Sequence, residues 1–367
     1  MPAESIFSNP MNRTRVLIVD DSALMRELLS EILSQDPAIE VVGSAADPFR
    51  AREKIARLQP DVLTLDVEMP GMDGLTFLEE LMRVHPMPVL MVSSLTEGEC
   101  ETTLRALELG AVDYVTKPHL DIQSGTLEQA EEIVGKVKMA AAAHVRRKAR
   151  AAPPTASPQA RNERPAVAAA TSLGFKTTHK VIAVGASTGG TEALLQFLTP
   201  LPADAPGIVI VQHMPAGFTR SFAARLDSLC RVRVREAQNG DTVLPGHALL
   251  APGNFQMEVA RDGAKNVARI FAGEPVNRHR PSVDVLFHSC AQTLGANAIG
   301  VILTGMGADG ARGLLAMRQA GAHTVAQDEA SCVVFGMPRE AIALGAAEEV
   351  ASLDGMAPAV LRLAGKR

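Results

Sequence analysis

The alternation of apolar runs with amphipathic segments predicts an α/β fold in the first third of the chain. Five short runs are mostly continuous in hydrophobicity, as parallel strands buried on both faces should be: RVLIVDD, IEVVGSA, DVLTLDV, PVLMVSS and VDYVTKP. Helical patterns lie between them, such as ALMRELLSEIL, in which Leu24, Leu28 and Ile32 share one face. Five β-α units in about 120 residues predict a flavodoxin-like (βα)5 domain with a doubly wound parallel sheet.

The same alternation resumes in the second half of the chain. The runs KVIAVGA, GIVIVQH and AIGVILTGMG predict buried parallel strands, with helical segments between them. A middle block is more polar and alternates, and we interpret it as antiparallel hairpins: VRVREA, GHALLAPG, FQMEVAR and NVARIFAG. The pattern predicts a second doubly wound parallel sheet with an antiparallel hairpin region.

The two patterned halves are separated by a segment that lacks large apolar residues until Leu173. Residues 140 to 178 are rich in Ala, Pro, Arg and Thr, so they cannot bury enough surface to offset their ordering entropy. We therefore predict a first domain over 15–132, a flexible Ala/Pro/Arg-rich linker over 133–178, and a second domain over 179–367.

The composition of the chain argues against a membrane protein and against a nucleic-acid-binding protein. The chain has 367 residues, 47% of them hydrophobic, and its apolar runs are shorter than a membrane span, so no membrane insertion is expected. A net charge of −5, 3% aromatic residues and no Trp argue against nucleic-acid binding. No secretory signal is visible, and the widely spaced cysteines predict reduced thiols. We expect a cytoplasmic protein.

Polar residues follow the predicted strands of the first half. Asp20 and Asp21 follow the first strand and Asp66 ends the third, whereas Ser93 ends the fourth and Lys117 follows the fifth. Because the carboxyl ends of parallel strands meet at one edge, these groups should converge. Converging carboxylates are ligands that Mg²⁺ prefers. We predict a phosphorylation reaction in which the carboxylate of Asp66 attacks phosphorus.

The pattern VDDS…LDVEMPGMDG…VSS…TKP resembles the receiver domain of two-component response regulators. The resemblance implies that Asp66 accepts a phosphoryl group from a histidine kinase and that Asp20, Asp21 and Asp66 hold Mg²⁺. It also implies supporting roles for Ser93 and Lys117. Tyr114, the one tyrosine, matches the ring that changes position on activation in that family, although it could equally be plain core packing.

The stretch VGASTGG raises a separate question, because it could cradle phosphate or present Ser187 as a nucleophile. Neither phosphate-loop pattern of glycines is present, whereas Gly185, Ser187 and Gly189 fit G-x-S-x-G after a strand. The alternative is that Ser187 has a structural role and caps the following helix.

A nucleophilic serine needs a base, and a third group must orient that base. His213 follows the strand GIVIVQ, as Ser187 follows its own strand, and Asp309 follows AIGVILTGMG. The remaining histidines fit less well: His247 and His323 precede strands, His288 lies within a helix, and His279 lies in the loop NRHRPS. Asp227, Asp284 and Asp328 are harder to place at the right edge. We predict the triad Ser187, His213 and Asp309.

Six segments of the second half together resemble the catalytic domain of the CheB family of chemotaxis protein-glutamate methylesterases: GASTGG, QHMPAGFTRSFAARLD, PGHALLAPG, RPSVDVLFHSCA, GVILTGMGADGARG and AQDEASCVVFGMP. The resemblance implies hydrolysis of glutamate γ-methyl esters on chemoreceptors, with deamidation of receptor glutamines in some members. It also implies an oxyanion hole from the backbone amides of Met306 and His213, and ester chemistry without a cofactor. Thr188 could support the site or bond at the start of its helix.

The resemblance further implies that the unphosphorylated receiver covers the catalytic cleft and that phosphorylation at Asp66 weakens this contact. Two other functions are alternatives to an esterase. In a receiver-regulated binding protein, VGASTGG would hold a nucleotide. In a receiver with a DNA-binding output, the second half would need a basic recognition helix, which it lacks.

Overall fold

The computed structural model describes residues 13–69, 73–94, 97–118, 126–143 and 180–365. Most of the predicted linker therefore lies outside the described residues. Among the described helices, none combines the length and apolar character needed to cross a membrane. All four cysteines are buried and free of disulfides, as predicted.

The first half is a five-stranded parallel sheet in the order β2-β1-β3-β4-β5, which confirms the flavodoxin-like prediction. Its strands are β1 (Thr14–Val19), β2 (Ile39–Ala45), β3 (Val62–Asp66), β4 (Val89–Ser93) and β5 (Asp113–Thr116). Its helices are α1 (Ala23–Ser34), α2 (Pro48–Leu58), α3 (Gly74–Val84), α4 (Glu97–Leu109) and α5 (Thr126–Ala142). The reversal of strand order between β1 and β3 brings their carboxyl ends to one crevice.

Helix α5 continues past residue 132, where the predicted linker was to begin. Residues 133 to 142 are helical because Ile133, Val137 and Ala140 are buried in the same apolar cluster as Leu29 of α1. The predicted linker therefore begins too early in the chain. Alanines occur both in linkers and on buried helix faces, so the run of alanines did not reveal an amphipathic helix.

The second half is a seven-stranded sheet in the order β14-β13-β12-β6-β7-β9-β8, with every pair parallel. Its strands are β6 (Val181–Ala186), β7 (Gly207–Gln212), β8 (Arg233–Glu236), β9 (His247–Leu250), β12 (Ala298–Ile302), β13 (His323–Gln327) and β14 (Glu349–Ala351). A separate antiparallel pair consists of β10 (Gln256–Asp262) and β11 (Lys265–Phe271). The helices are α6 (Gly190–Leu198), α7 (Phe218–Leu229), α8 (Val283–Leu294), α9 (Ala311–Gln319), α10 (Met337–Ala343) and α11 (Leu353–Leu363).

The hairpin interpretation is confirmed for FQMEVAR and NVARIFAG but is wrong for the other two segments. VRVREA and GHALLAPG form β8 and β9, which pair in parallel at one end of the main sheet. β8 is the edge strand, so its side chains alternate between core and solvent. An edge strand of a parallel sheet therefore imitates the alternation of a hairpin.

The two halves share an apolar interior. One cluster of buried side chains extends from Leu63 and Phe77 of the first half to Phe197 and Phe218 of the second. Helix α4 packs against α6 and α7 where the halves meet. The contact between the halves is thus partly a core rather than a polar surface, although most of each half's own core lies under its own sheet.

Candidate functional site

Ser187 and His213 lie side by side at the carboxyl edge of the second sheet. Ala186 of β6 and Gln212 of β7 are partners in the parallel register, and each is followed by one of these two residues. Neighbouring strands lie about 4.8 Å apart, so the two residues face each other across one strand spacing. The structure thus brings these two predicted residues to adjacent strand ends.

The turn at Ser187 is held by backbone bonds within the protein. The amide of Ser187 donates to the carbonyl of Thr304 at 3.0 Å, and the amide of Gly190 donates to the carbonyl of Ser187 at 2.7 Å. Gly189 adopts a left-handed conformation and occupies the N-cap position of α6, so Ser187 does not cap that helix. With two of its amides already satisfied, the turn is a poor phosphate cradle.

Gly185 is required for a different reason, because α8 packs directly on the strand. A β-carbon at Gly185 would lie 2.2 Å from Cγ1 of Val283. The glycine therefore allows the start of α8 to approach β6, next to the serine. The three positions of the motif thus differ in role: Gly185 allows a close helix contact, Ser187 is half-buried at the strand end, and Gly189 forms a left-handed turn.

His213 is paired with Asp309, which lies in the loop after β12. The Nε2 atom of His213 is 2.8 Å from Oδ2 of Asp309, and both side chains are almost fully buried. Nδ1 of His213 has no hydrogen-bond partner among the described residues. Since β12, β6 and β7 are neighbours in the sheet, the three predicted triad residues meet at one edge, and Nδ1 is the nitrogen left to serve as a base.

Asp309 is the most heavily bonded carboxylate of the site. Its oxygens accept hydrogen bonds from Nδ2 of Asn277 at 2.7 Å, Oγ of Ser282 at 2.8 Å and the amide of Val283 at 2.7 Å. Burial alone would raise the pKa of Asp309, but the hydrogen bonds and charge of His213, with those from Asn277 and Ser282, hold it well below its usual value. Asp309 is therefore ionised and fixes the orientation of the imidazole.

Sequence reasoning missed Asn277 and Ser282, because nothing in a linear pattern connects them to Asp309. It also set His279 aside as a loop residue. The ring of His279 stacks on that of His213, with centroids 3.6 Å apart and planes 12° from parallel. Burial and the neighbouring His213 lower the pKa of His279 to about 3, so the stacked ring is neutral at physiological pH.

The structure corrects one half of the predicted oxyanion hole. The amide of His213 donates to the carbonyl of Ala186 at 3.1 Å, because strand pairing continues one residue beyond β7, so this amide is not directed at a substrate. Met306 follows Gly305, and a β-carbon on Gly305 would lie 2.7 Å from Cβ of Ser187. The loop containing Met306 therefore lies beside the serine, and its role as a donor stays a prediction.

The alternatives for several other residues are now decided. Thr188 does not bond at the start of α6; its Oγ1 donates to Oδ2 of Asp113 in the first half at 2.5 Å. His247 and His323 begin β9 and β13, at the opposite edge from Ser187, as the strand argument predicted. Asp284 lies nearby, and its carboxylate accepts hydrogen bonds from Nδ2 of Asn277 and from the amide of Gly313.

A second polar site lies at the carboxyl edge of the first sheet. Asp20 and Asp66 are buried, Asp21 is exposed, and one carboxylate oxygen from each lies within 4.8 Å of the others. Nζ of Lys117 is 2.8 Å from Oδ1 of Asp66. The predicted convergence of Asp20, Asp21, Asp66 and Lys117 is therefore present.

The electrostatics of this site suit a hard cation. Burial, together with the charge of Asp66, raises the pKa of Asp20 to about 6, and burial also raises that of Asp66. Oδ2 of Asp20 and Oδ2 of Asp66 are buried without a hydrogen-bond partner among the described residues. Unpaired carboxylate oxygens at such separations match the ligands that Mg²⁺ prefers.

Of the two remaining receiver residues, Ser93 bonds within the first half and Tyr114 contacts the second half. Oγ of Ser93 accepts a hydrogen bond from Oγ1 of Thr103 at 2.8 Å. The ring of Tyr114 is buried and stacks on Phe218 of α7, with centroids 4.5 Å apart. Tyr114 is thus a packing residue in this state, at the junction between the halves.

Comparisons with known proteins agree with both halves of this description. A family model described as CheB methylesterase matches residues 182–360, and one described as Response regulator receiver domain matches residues 16–127. The protein-glutamate methylesterase/protein-glutamine glutaminase 2 of Bordetella avium is 60% identical over 97% of this chain and 99% of its own length. The chain belongs to the CheB family. The resemblance predicted from the sequence is confirmed.

A second sequence relative supports the same assignment. The protein-glutamate methylesterase/protein-glutamine glutaminase 1 of Geobacter metallireducens is 60% identical over 93% of each chain. The crystal structure of the Thermotoga maritima CheB methylesterase catalytic domain is 38% identical, covers 50% of this chain and 98% of that one, and has a TM-score of 0.49. The family assignment rests on the sequence relatives, which extend over almost the whole chain.

In this CheB-family chain the receiver half contacts the loops of the serine site. Besides the bond from Thr188 to Asp113, Arg278 forms an ion pair with Glu131 of α5 at 3.1 Å. A β-carbon on Gly135 of α5 would lie 3.7 Å from Cε of Met306. Arg225 of α7 also pairs with Glu108 of α4. The receiver therefore lies over the edge where Ser187 is found.

Proposed function

We propose that the chain hydrolyses glutamate γ-methyl esters on chemoreceptors, releases methanol, and so takes part in chemotactic adaptation. The observation that supports this most strongly is the juxtaposition of Ser187 and His213 in the strand register, with Asp309 bonded to Nε2 of His213. The names of the relatives, which join methylesterase and glutaminase, support the substrate class.

In the proposed reaction, Oγ of Ser187 attacks the ester carbonyl while Nδ1 of His213 takes its proton. The protonated imidazole then gives this proton to the departing methoxide, and Asp309 stabilises the charged ring. Water hydrolyses the resulting acyl-enzyme by the same route in reverse. The amide of Met306 would stabilise the oxyanion, a contribution of about 3–4 kcal/mol per donor in other enzymes. Deamidation of receptor glutamines would use the same acyl-enzyme and release ammonia.

The first half would act as the regulatory receiver, over the predicted residues 15–132 and on to the end of α5 at Ala142, and the catalytic domain would occupy 179–367. Asp66 would accept the phosphoryl group from a histidine kinase in the cytoplasm. Asp20, Asp21 and Asp66 would hold Mg²⁺, which supplies positive charge to the phosphoryl oxygens. Lys117 would move its ion pair from Asp66 to the phosphate, and Ser93 would donate to a phosphate oxygen.

Phosphorylation is proposed to weaken the contact that α5 and β5 make with the serine site. Ser93 and Lys117 adjoin the end of β5, and Tyr114 of that strand stacks on Phe218, so β5 would connect the phosphorylation site to that contact. A change at the phosphorylation edge can therefore reach Asp113 and Thr188 without passing through a solvent-exposed segment.

The proposal is tested by incubating the full chain with methyl-labelled chemoreceptor and measuring methanol, with and without acetyl phosphate and Mg²⁺. We expect release in both conditions and a clear increase with the phosphodonor. Asp66→Asn should keep the unstimulated rate and lose the increase. Absence of methanol release, or stimulation that persists in Asp66→Asn, would contradict the proposed function or its regulation, respectively.

A further inference from the structure

One face of helix α5 contacts two different loops of the serine site. Oε2 of Glu131 is 3.1 Å from Nη1 of Arg278, and Gly135, one helical turn later, lies over Met306. Residues four apart share a helix face, so both contacts belong to a single track along α5. Ile133 and Val137 lie elsewhere on the helix and pack into the receiver core.

Arg278 is presented by a tight turn that is anchored to the catalytic pair. Val276 and His279 exchange two backbone hydrogen bonds, and the residues between them, Asn277 and Arg278, both have left-handed backbone conformations. Two consecutive positive φ angles define a type I′ turn, which is disfavoured for residues other than glycine, asparagine and aspartate. Arginine at this position is therefore not explained by the turn itself.

Both neighbours of Arg278 are tied to the triad. Nδ2 of Asn277 donates to Asp309 at 2.7 Å, and the ring of His279 stacks on His213. The side chain of Arg278, in contrast, is 86% exposed. The turn thus places an exposed cation one residue along the backbone from each of the two residues that contact the catalytic acid and imidazole. Such an arrangement is suited to reading a charge on a substrate.

Helix α5 has the features of a substrate helix without its reactive group. It presents a carboxylate to Arg278 and, four residues later, a glycine beside the Met306 loop. Gly305 of that loop abuts Ser187, and a β-carbon at Gly135 would contact the end of the Met306 side chain, so a side chain there would meet the loop that borders the serine. On another helix in this place, a methylated glutamate at the position of Gly135 would extend its ester toward this loop.

We propose that Arg278 is a specificity residue that binds an acidic side chain four residues before the methylated glutamate of a receptor helix. In the resting protein, Glu131 of α5 occupies the place of that acidic side chain. This inference rests on the proposed esterase function, and it adds the register in which the acidic substrate helix is recognised.

The test compares two receptor cytoplasmic fragments, each with one methylated glutamate, that carry Glu or Gln four residues before it. The measured quantity is the ratio of kcat/KM for the two fragments with the full chain. Because the ratio is taken within one enzyme, the fraction of molecules covered by the receiver cancels. We expect the wild-type chain to prefer the Glu fragment by about three- to fivefold, the size expected of a partly exposed ion pair.

Substitutions of Arg278 separate recognition from structure. Arg278→Gln should bring the ratio close to one, Arg278→Glu should reverse it, and Arg278→Lys should retain part of it. The matched control is Arg362→Gln, which removes an exposed arginine of α11 that pairs with Glu349 of β14 and should leave the ratio unchanged. A merely structural role for Arg278 would change both fragments equally.

The inference is overturned if the wild-type chain does not distinguish the fragments, or if Arg278→Gln keeps the wild-type ratio. Failure of the proposed function has a different signature, because Ser187→Ala would then still release methanol from both fragments. Loss of release in Ser187→Ala together with a wild-type ratio of one would leave the esterase function intact and reject only the role of Arg278.

Discussion

At the scale of single residues, the serine site is organised around one buried carboxylate. Asp309 was predictable because it follows a strand, as do Ser187 and His213, and strand ends converge. Its donors were not predictable: Asn277 and Ser282 come from a loop that no periodicity connects to β12. The predicted oxyanion role of the His213 amide is wrong for a similar reason. One additional backbone bond between β6 and β7 occupies this amide, and the sequence does not show where strand pairing ends.

The neutral ring of His279 leads to a prediction about stability. Its pKa is about 3 in the folded protein, below its ordinary value of about 6.5, so the unfolded chain takes up a proton in that interval that the folded chain does not. Stability should therefore fall as pH falls from about 6.5, by at most about 1.4 kcal/mol per pH unit from this group. His279→Phe, which can still stack, should show a flatter profile in urea unfolding between pH 7 and 4.5.

The control for this experiment is His85→Gln, which alters an exposed histidine on the receiver and should keep the wild-type slope. Equal slopes for the wild-type chain and His279→Phe would show that the stacked ring is protonated in the folded state. In that case His279 could not act as a neutral partner of His213.

At the scale of secondary-structure elements, the order of apolar runs was sufficient to predict both parallel sheets. It was not sufficient for the edge of the second sheet, where β8 alternates because one of its faces meets solvent. That alternation predicts hairpins, whereas β8 and β9 are parallel strands. The end of α5 was also misjudged, because alanines can line a buried helix face as well as a linker. Burial depends on tertiary neighbours that a short window does not contain.

The carboxyl ends of β1 and β3 lead to a second prediction. Asp20 is buried beside Asp66 with a pKa raised to about 6, so its charged form is penalised at neutral pH and its contribution to stability is lost as pH rises through that value. Asp20→Asn should raise the Tm of the metal-free protein at pH 7.5 by roughly 2–8 °C. Addition of Mg²⁺ should raise the Tm of the wild-type chain more than that of the variant.

Thermal unfolding followed by circular dichroism, with EDTA or with Mg²⁺, measures both effects. A suitable control is Asp36→Asn, an acidic residue of the same half whose pKa is lowered by its bond to Lys138, and which should lower the Tm or leave it unchanged. A destabilised Asp20→Asn protein would contradict this account, because it would mean that the hydrogen bond from Ser22 and the charge of Lys117 outweigh burial and the repulsion by Asp66.

At the scale of the whole molecule, the receiver and the catalytic half meet through a mixture of apolar and polar contacts. The sequence predicted two domains and a regulatory relation through family resemblance, but it could not predict which surfaces meet. Tyr114 on Phe218, Asp113 on Thr188 and Glu108 on Arg225 come from elements far apart in the chain. Such pairs depend on the docking of two folded units.

The pair formed by Glu108 and Arg225 allows this contact to be tested away from the serine site. Arg225→Glu places two like charges between α4 and α7 and should raise methanol release without phosphodonor by about two- to fivefold. The combination of Arg225→Glu with Glu108→Arg restores opposite charges and should return the rate to the wild-type level. A rate that stays unchanged in Arg225→Glu, or stays raised in the double variant, would contradict an inhibitory contact at this interface.

The most direct measurement is the initial rate of methanol release from methyl-labelled receptor by Ser187→Ala, compared with the wild-type chain in the presence of acetyl phosphate and Mg²⁺. Since the hydroxyl of Ser187 is taken to form the acyl-enzyme, the rate should fall by about 10⁴- to 10⁶-fold. A rate within about tenfold of the wild-type value would mean that another group attacks the ester, and it would reject the triad.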